Sequence, residues 1–410
     1  MNRREIFLLH MLSCAIHSMK PEPMEFLPEE WEKLLQDCMS QGIFAVVFPI
    51  VERLFQQGRV PTPIVEKWRK STLSAVSSQI RRRMSFEGVY TSLIDAGAQI
   101  LLFKGPVISE LYPEETLRIA GDMDLLVCSN ADTAGQVLKA KGYICQASPH
   151  EAVVSDYRKG DLHVELHKAL FEETSTGHSC LFHKVFPLEG LWERHVIFKT
   201  DNGIEIATFC PEDHLCYLLC HMAKHFIYAG FGLRHLSDLT LFAQHYANDI
   251  CWESFWSHIR LIGLEKFTCA LFSICMEYLG LPETCIPLFP GKTGSSDHSG
   301  LLEDILDAGI FGARTPMRIR ARSMTGRISE TENSKTRLIL RAAFPSAGYL
   351  KHQYPYLKKR PWLLPAAWTQ RAYRFLGDTE KPKHKENTFR QASELCKHRL
   401  DLLREYDLIK

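Results

Sequence analysis

The segment Asp161-Leu162-His163-Val164-Glu165-Leu166-His167 alternates polar and apolar residues without a break. This period-two pattern demands a half-buried strand, because successive side chains on a strand leave opposite faces. Leu162, Val164 and Leu166 share a core face, and Asp161, His163, Glu165 and His167 share the other. By the same rule, Gly121-Asp122-Met123-Asp124-Leu125-Leu126-Val127 puts Asp122 and Asp124 on one face.

Other segments complete a small sheet. Gln99–Phe103 is a short apolar run suited to a buried strand, and Met123–Val127 is a second. Ala131–Lys141 reads as a helix stopped by Gly142, with a strand starting at Ile144-Cys145. Val153–Tyr157 and Asp161–His167 read as a hairpin turning at Lys159-Gly160. Helical spacing dominates on both sides: Glu29–Gln57 and Val65–Asp95 before the sheet, with Arg81-Arg82-Arg83 on a wet face, and Pro211–Phe226, Leu233–Tyr246, Trp252–Leu261 and Leu264–Leu279 after it. The expected fold is α/β (α+β), a small mixed sheet with helices on one face. The expected division is an N-terminal helical region 1–95, a core 96–205 and a C-terminal helical region 206–410.

Composition narrows the class. With 45% hydrophobic and 24% charged residues the chain is globular. A net charge of +1 gives no whole-molecule attraction to polyanions, so a nucleic-acid partner is not expected. The basic stretch Arg314–Arg327 reads as a solvated face. Thirteen scattered cysteines without a CxxC pair read as reduced thiols of a cytoplasmic protein. The apolar run Ile6–Ile16 fits a short amphipathic helix about as well as an export signal. Export is not expected, because His10 interrupts the run and no small-residue cleavage pattern follows, and no membrane span is expected.

The acids carry the chemistry. Asp122 and Asp124 repel each other unless a cation lies between them, and a hard divalent ion such as Mg²⁺ takes oxygen ligands. If the Glu165 strand lies beside theirs, the cluster gains a third carboxylate, able to bind one or two ions or supply a base. Lys104-Gly105 ends a strand in a glycine turn that lets phosphate approach the backbone, and Arg118 could hold a triphosphate in fork geometry. His163 and His167, and His221 and His225 four residues apart, also suit transition-metal ligation, which keeps a metal hydrolase open as an alternative.

Phe103-Lys104-Gly105, Arg118, Gly121–Val127 and Val164-Glu165-Leu166-His167 together resemble the signature of the uncharacterised nucleotidyltransferase family, within the DNA polymerase beta-like superfamily. The turn here is Gly105-Pro106, where that superfamily usually has Gly-Ser or Gly-Gly. The resemblance implies a two-metal transfer of a nucleoside monophosphate from a nucleoside triphosphate to a hydroxyl or phosphate, releasing pyrophosphate. It implies Mg²⁺ or Mn²⁺ as cofactor and ATP or another nucleoside triphosphate as substrate. Carried over by position, Asp122, Asp124 and Glu165 are the catalytic metal ligands, and Lys104, Gly105 and Arg118 face the triphosphate. His221, His225, Arg234, His235 and Asp238 resemble the helical segment after the core, with His225, Arg234 and Asp238 near the nucleotide. The acceptor stays open among small molecules, peptides and saccharides. A non-catalytic nucleotide-binding or protein-interaction module of the same fold is the other alternative. Removing Asp122 or Asp124 is expected to abolish transfer while leaving stability unchanged or slightly improved.

Overall fold

Period-two patterning becomes a seven-stranded mixed sheet in the computed structural model, which describes residues 1–22, 24–146, 153–171, 186–200, 202–293, 297–309, 350, 354–358, 360–377 and 382–409. The strands are β1 (Gln99–Phe103), β2 (Met123–Ser129), β3 (Ile144–Gln146), β4 (Val154–Lys159), β5 (Leu162–His167), β6 (Val196–Lys199) and β7 (Glu205–Thr208), in spatial order β3-β4-β5-β2-β1-β7-β6. β2 lies between β1, its antiparallel partner, and β5, its parallel partner. β4 and β5 form the expected hairpin. The β6–β7 hairpin extends the sheet beyond β1 and went unanticipated, because its strands are short and carry little alternation.

The helices are α1 (Arg3–Ile16), α2 (Pro28–Ser40), α3 (Phe48–Gln56), α4 (Thr62–Asp95), α5 (Pro106–Ser109), α6 (Ala131–Ala140), α7 (Leu188–Glu193), α8 (Pro211–Tyr228), α9 (Leu233–His245), α10 (Trp252–Ile262), α11 (Glu265–Leu279), α12 (Ser299–Ala308), α13 (Leu364–Gly377) and α14 (Pro382–Glu405). The N-terminal apolar run is α1, which opens with a capping box between Asn2 and Glu5 and buries Phe7, Leu8, Met11 and Leu12. No described helix is long and apolar enough to cross a membrane. Each described cysteine is free.

Two cores meet at the sheet. Ile100, Leu102, Met123, Leu125, Val127, Val164 and Leu166 pack with Phe86, Val89, Tyr90 and Leu93 of α4 and Ala134 and Leu138 of α6. The opposite face offers Leu101, Phe103 and Leu126 to a larger core drawn from α1–α3, the start of α4 and α8–α12. Helices therefore cover both faces, where one was expected. The central strands are apolar on both sides because they are sandwiched, and alternation survives only where a polar site interrupts one side. The N-terminal and C-terminal helices share that larger core. α14 joins it through Leu402 and Leu403, and its Arg399, 1% exposed, donates to Asp304 of α12 and to the carbonyl of Phe226 in α8.

The arginine triplet departs from expectation. Arg81 is on the wet side, but Arg83 is ion-paired with Glu87, Glu110 and Glu115 at a side-chain exposure of 17%, and Arg82 is half-buried. Arg314–Arg327 lies outside the described residues.

Candidate active site

Register assembles the acids. Parallel pairing sets Asp124 of β2 opposite Glu165 of β5, and the hairpin sets Asp156 of β4 opposite the other side of Glu165. A row Asp156–Glu165–Asp124–Phe103 therefore crosses four strands on one face. Asp122, one residue before β2, joins the same face. Ligand atoms of Asp122, His163 and Glu165 all lie within 4.8 Å of one another, as do those of Asp124, Glu165 and His167. Glu165 belongs to both groups, so the three acids anticipated from the sequence converge. The set combines carboxylate oxygens with two imidazoles, and its oxygen donors suit a hard divalent ion.

Asp156 was not singled out from the sequence. His163 Nε2 lies 2.7 Å from Asp156 Oδ1 and 3.7 Å from Glu165 Oε1. The signal was present: a turn at Gly160-Asp161 pairs Lys159 with Leu162, and counting back along that hairpin sets Asp156 against Glu165.

Environment drives the two aspartates apart. Burial pushes the Asp122 carboxyl up, and the charges of Asp124 and Glu165 push it further. Burial acts the same way on Asp124, but Lys104 and His167 outweigh it and hold that carboxyl well below the usual range. Lys104 Nζ is 3.4 Å from Asp124 Oδ1 and 3.1 Å from His221 Nε2, and His167 Nε2 is 3.2 Å from the same Asp124 oxygen. Burial disfavours the charged Lys104, yet Asp124 more than compensates and raises its pKa.

The turn aiming Lys104 is strained. Lys104 has φ of 67° and Gly105 has φ of 50° with ψ of −122°, a combination that excludes a side chain at 105 on backbone grounds. The bend sends the chain off β1 into α5 and points the Lys104 side chain back over the acid face.

The loop entering β2 is pinned from three sides. Arg118 forms a bidentate pair with Asp238 of α9, at 2.9 and 2.7 Å, and Tyr112 donates to the same carboxylate at 2.7 Å. The Arg118 and Asp238 side chains are 5% and 7% exposed. Arg234 donates to the carbonyl of Ile119 at 2.9 Å, and the Ala120 N–H donates to Gln79 Oε1 at 3.1 Å. Arg118 and Asp238, both anticipated near the nucleotide, thus grip each other.

The histidines of α8 and α9 form a wall beside Lys104. His225 Nε2 is 3.0 Å from His221 Nε2, and the His235 ring packs near both. Burial, then the charge of Lys104, lowers the pKa of His221, and burial with Arg234 lowers that of His235. Among the described residues these three histidines form no metal-ligand cluster, whereas His163 and His167 join the acids.

The family described as uncharacterised nucleotidyltransferase matches residues 28–280. Among solved structures the chain is similar to an antigenic nucleotidyltransferase-like protein from Paracoccidioides brasiliensis, at 11% identity and a TM-score of 0.30, over 48% of this chain and 90% of that one. It is also similar to a tRNA nucleotidyltransferase complexed with a primer tRNA and an incoming ATP analogue, at 14% identity and a TM-score of 0.25, over 78% of this chain and 99% of that one. Likeness this distant carries no argument beside the family match. No curated protein matches the chain.

Proposed function

This chain belongs to the uncharacterised nucleotidyltransferase family, and from that premise we propose a Mg²⁺- or Mn²⁺-dependent enzyme that transfers a nucleoside monophosphate. The donor is ATP or another nucleoside triphosphate, the acceptor is a hydroxyl or phosphate of a small molecule, peptide or saccharide, and pyrophosphate leaves. The observation that carries the reading is the convergence of Asp122, Asp124 and Glu165 from two segments about forty residues apart. In this reading those three residues hold the divalent ions, with His163 and His167 beside them. When bound, such ions neutralise charge on the phosphates and favour in-line attack.

The chain's own groups do the rest. Lys104 and His167 keep Asp124 ionised, so its oxygens remain ligands. The Arg118–Asp238 clamp fixes the approach to Asp122, and the turn at Gly105 holds Lys104 over the face. Arg234, His225 and His221 line the wall that meets the nucleotide. Free cysteines and a nucleoside triphosphate substrate fit a cytoplasmic setting.

The test is calorimetric titration with nonhydrolysable analogues of the four common nucleoside triphosphates. Binding of at least one should require Mg²⁺ or Mn²⁺ and vanish in Asp122→Asn and Glu165→Gln proteins that remain folded. If no nucleotide binds with metal present, the reading fails. His163 and His167 in the ligand groups also favour a second reading, a hydrolase with a zinc-type ion. That reading requires zinc to survive purification, which elemental analysis decides.

A further inference from the structure

We propose that Arg82 of α4, together with Arg234 of α9, is the receptor for the pyrophosphate portion of the nucleotide. This rests on the transfer reading above and adds a residue from the N-terminal helical region to that site.

The argument begins with three consecutive arginines whose fates differ. Arg81 reaches Asp161 at 3.3 Å. Arg83 pairs with Glu87 at 3.6 Å and Glu110 at 3.4 Å, and with Glu115. Arg82 has no ion pair among the described residues; its one hydrogen bond goes from Nη2 to Gln79 Oε1 at 3.0 Å, and its Nε is buried without a partner. A buried donor left unpaired is costly, so the position of this one carries information.

That position is beside the loop that leads into Asp122. The Gln79 oxygen that receives Arg82 also receives the N–H of Ala120, two residues before Asp122. Asp122 and Asp161 are the carboxylates whose fields Arg82 feels, and Asp161 is already engaged by Arg81. Arg234 repeats the pattern. It donates to the Ile119 carbonyl in the same loop, leaves its Nε buried and unpartnered, and has no ion pair among the described residues. Two uncommitted guanidinium groups therefore contact the loop that delivers Asp122, one through Gln79 and one directly.

Two other cations at the site are spoken for. Lys104 is held by Asp124 and His221, and Arg118 is gripped twice by Asp238. A nucleoside triphosphate concentrates its charge on the phosphates that leave as pyrophosphate. Planar guanidinium forks match phosphate oxygens better than a point charge does. Among the described residues, Arg82 and Arg234 have N–H donors to spare for them.

Titrations of inorganic pyrophosphate, in the presence of Mg²⁺, into the full-length protein and its variants test this without knowledge of the base or the acceptor. Arg82→Gln should weaken binding by about 10-fold to 100-fold, the range expected for one charge-assisted hydrogen bond. Arg82→Lys should recover part of the loss, and Arg81→Gln should stay within about twofold of the parent. Thermal unfolding of each variant confirms that the fold survives, and Arg82→Lys keeps the test informative if the Gln variant does not fold. Equal affinities for the parent and a folded Arg82→Gln or Arg82→Lys protein overturn the proposal while leaving the transfer reading standing. A parent that binds neither pyrophosphate nor any nucleotide overturns both.

Discussion

The Lys104 ammonium lies 3.4 Å from Asp124 Oδ1, and the Asp124 side chain is 4% exposed. This pair separates two aspartates that look equivalent in sequence. Asp124→Ala should abolish transfer and also destabilise the protein by about 3 kcal/mol, because it leaves a buried ammonium without its partner. The expectation that either aspartate could be removed without loss of stability is therefore corrected for Asp124. Asp122→Ala should abolish transfer with no loss of stability, since burial and the charge of Asp124 both disfavour its ionised form. Denaturant unfolding of the two variants side by side distinguishes them, and equal stabilities would contradict the assignment.

The Arg118–Asp238 clamp predicts strong non-additivity. Either Arg118→Met or Asp238→Leu alone should cost about 3–5 kcal/mol, the usual price of leaving one buried charge unpaired. The double variant should be more stable than either single one. A double-mutant cycle in which the two costs simply add would show that the pair is not coupled.

Acid should weaken the fold before the carboxylates titrate. Burial, then the charge of Lys104, takes the His214 imidazole down to about 3, while an unfolded histidine titrates near 6.5. Between those values the unfolded chain binds the extra proton, so stability falls as pH drops below about 6.5. The slope approaches roughly 1.4 kcal/mol per pH unit for each such group. His221 and His235 shift the same way and add to it. Unfolding curves at pH 7.5, 6.5 and 5.5 measure the loss, which should shrink in a His214→Asn protein. A flat profile would mean that these histidines do not stay neutral.

Divalent metal should stabilise the native protein by linkage. At a Mg²⁺ concentration one hundred times the dissociation constant, the gain is about 2.7 kcal/mol. The melting temperature should rise with Mg²⁺, return on chelation, and stay unmoved by Mg²⁺ in Asp122→Asn and Glu165→Gln proteins. A rise of the same size in those variants would place the ion elsewhere.

How much of this could be read from the chain depends on distance along it. The alternation in 161–167 and the aspartates at 122 and 124 report their own faces locally, so the acid side of the sheet was legible. That β5 lies beside β2 is a long-range fact, and only the resemblance in motifs supplied it. Asp156 was readable from hairpin register yet passed over, because Val154–Lys159 alternates weakly. The fate of Arg118 was hidden, since its partner Asp238 is 120 residues away and nothing near either residue marks the match. Arg82 was masked by its neighbours: three arginines in a row read as a wet helix face, and only the packing shows that the middle one is left over.

Arg399 gives the last described helix a bearing on chemistry some distance off. By donating to the Phe226 carbonyl, it ties α14 to the end of the helix that presents His221 and His225. A protein shortened before residue 382 would lose that brace and the cation beside Asp304 in a single cut.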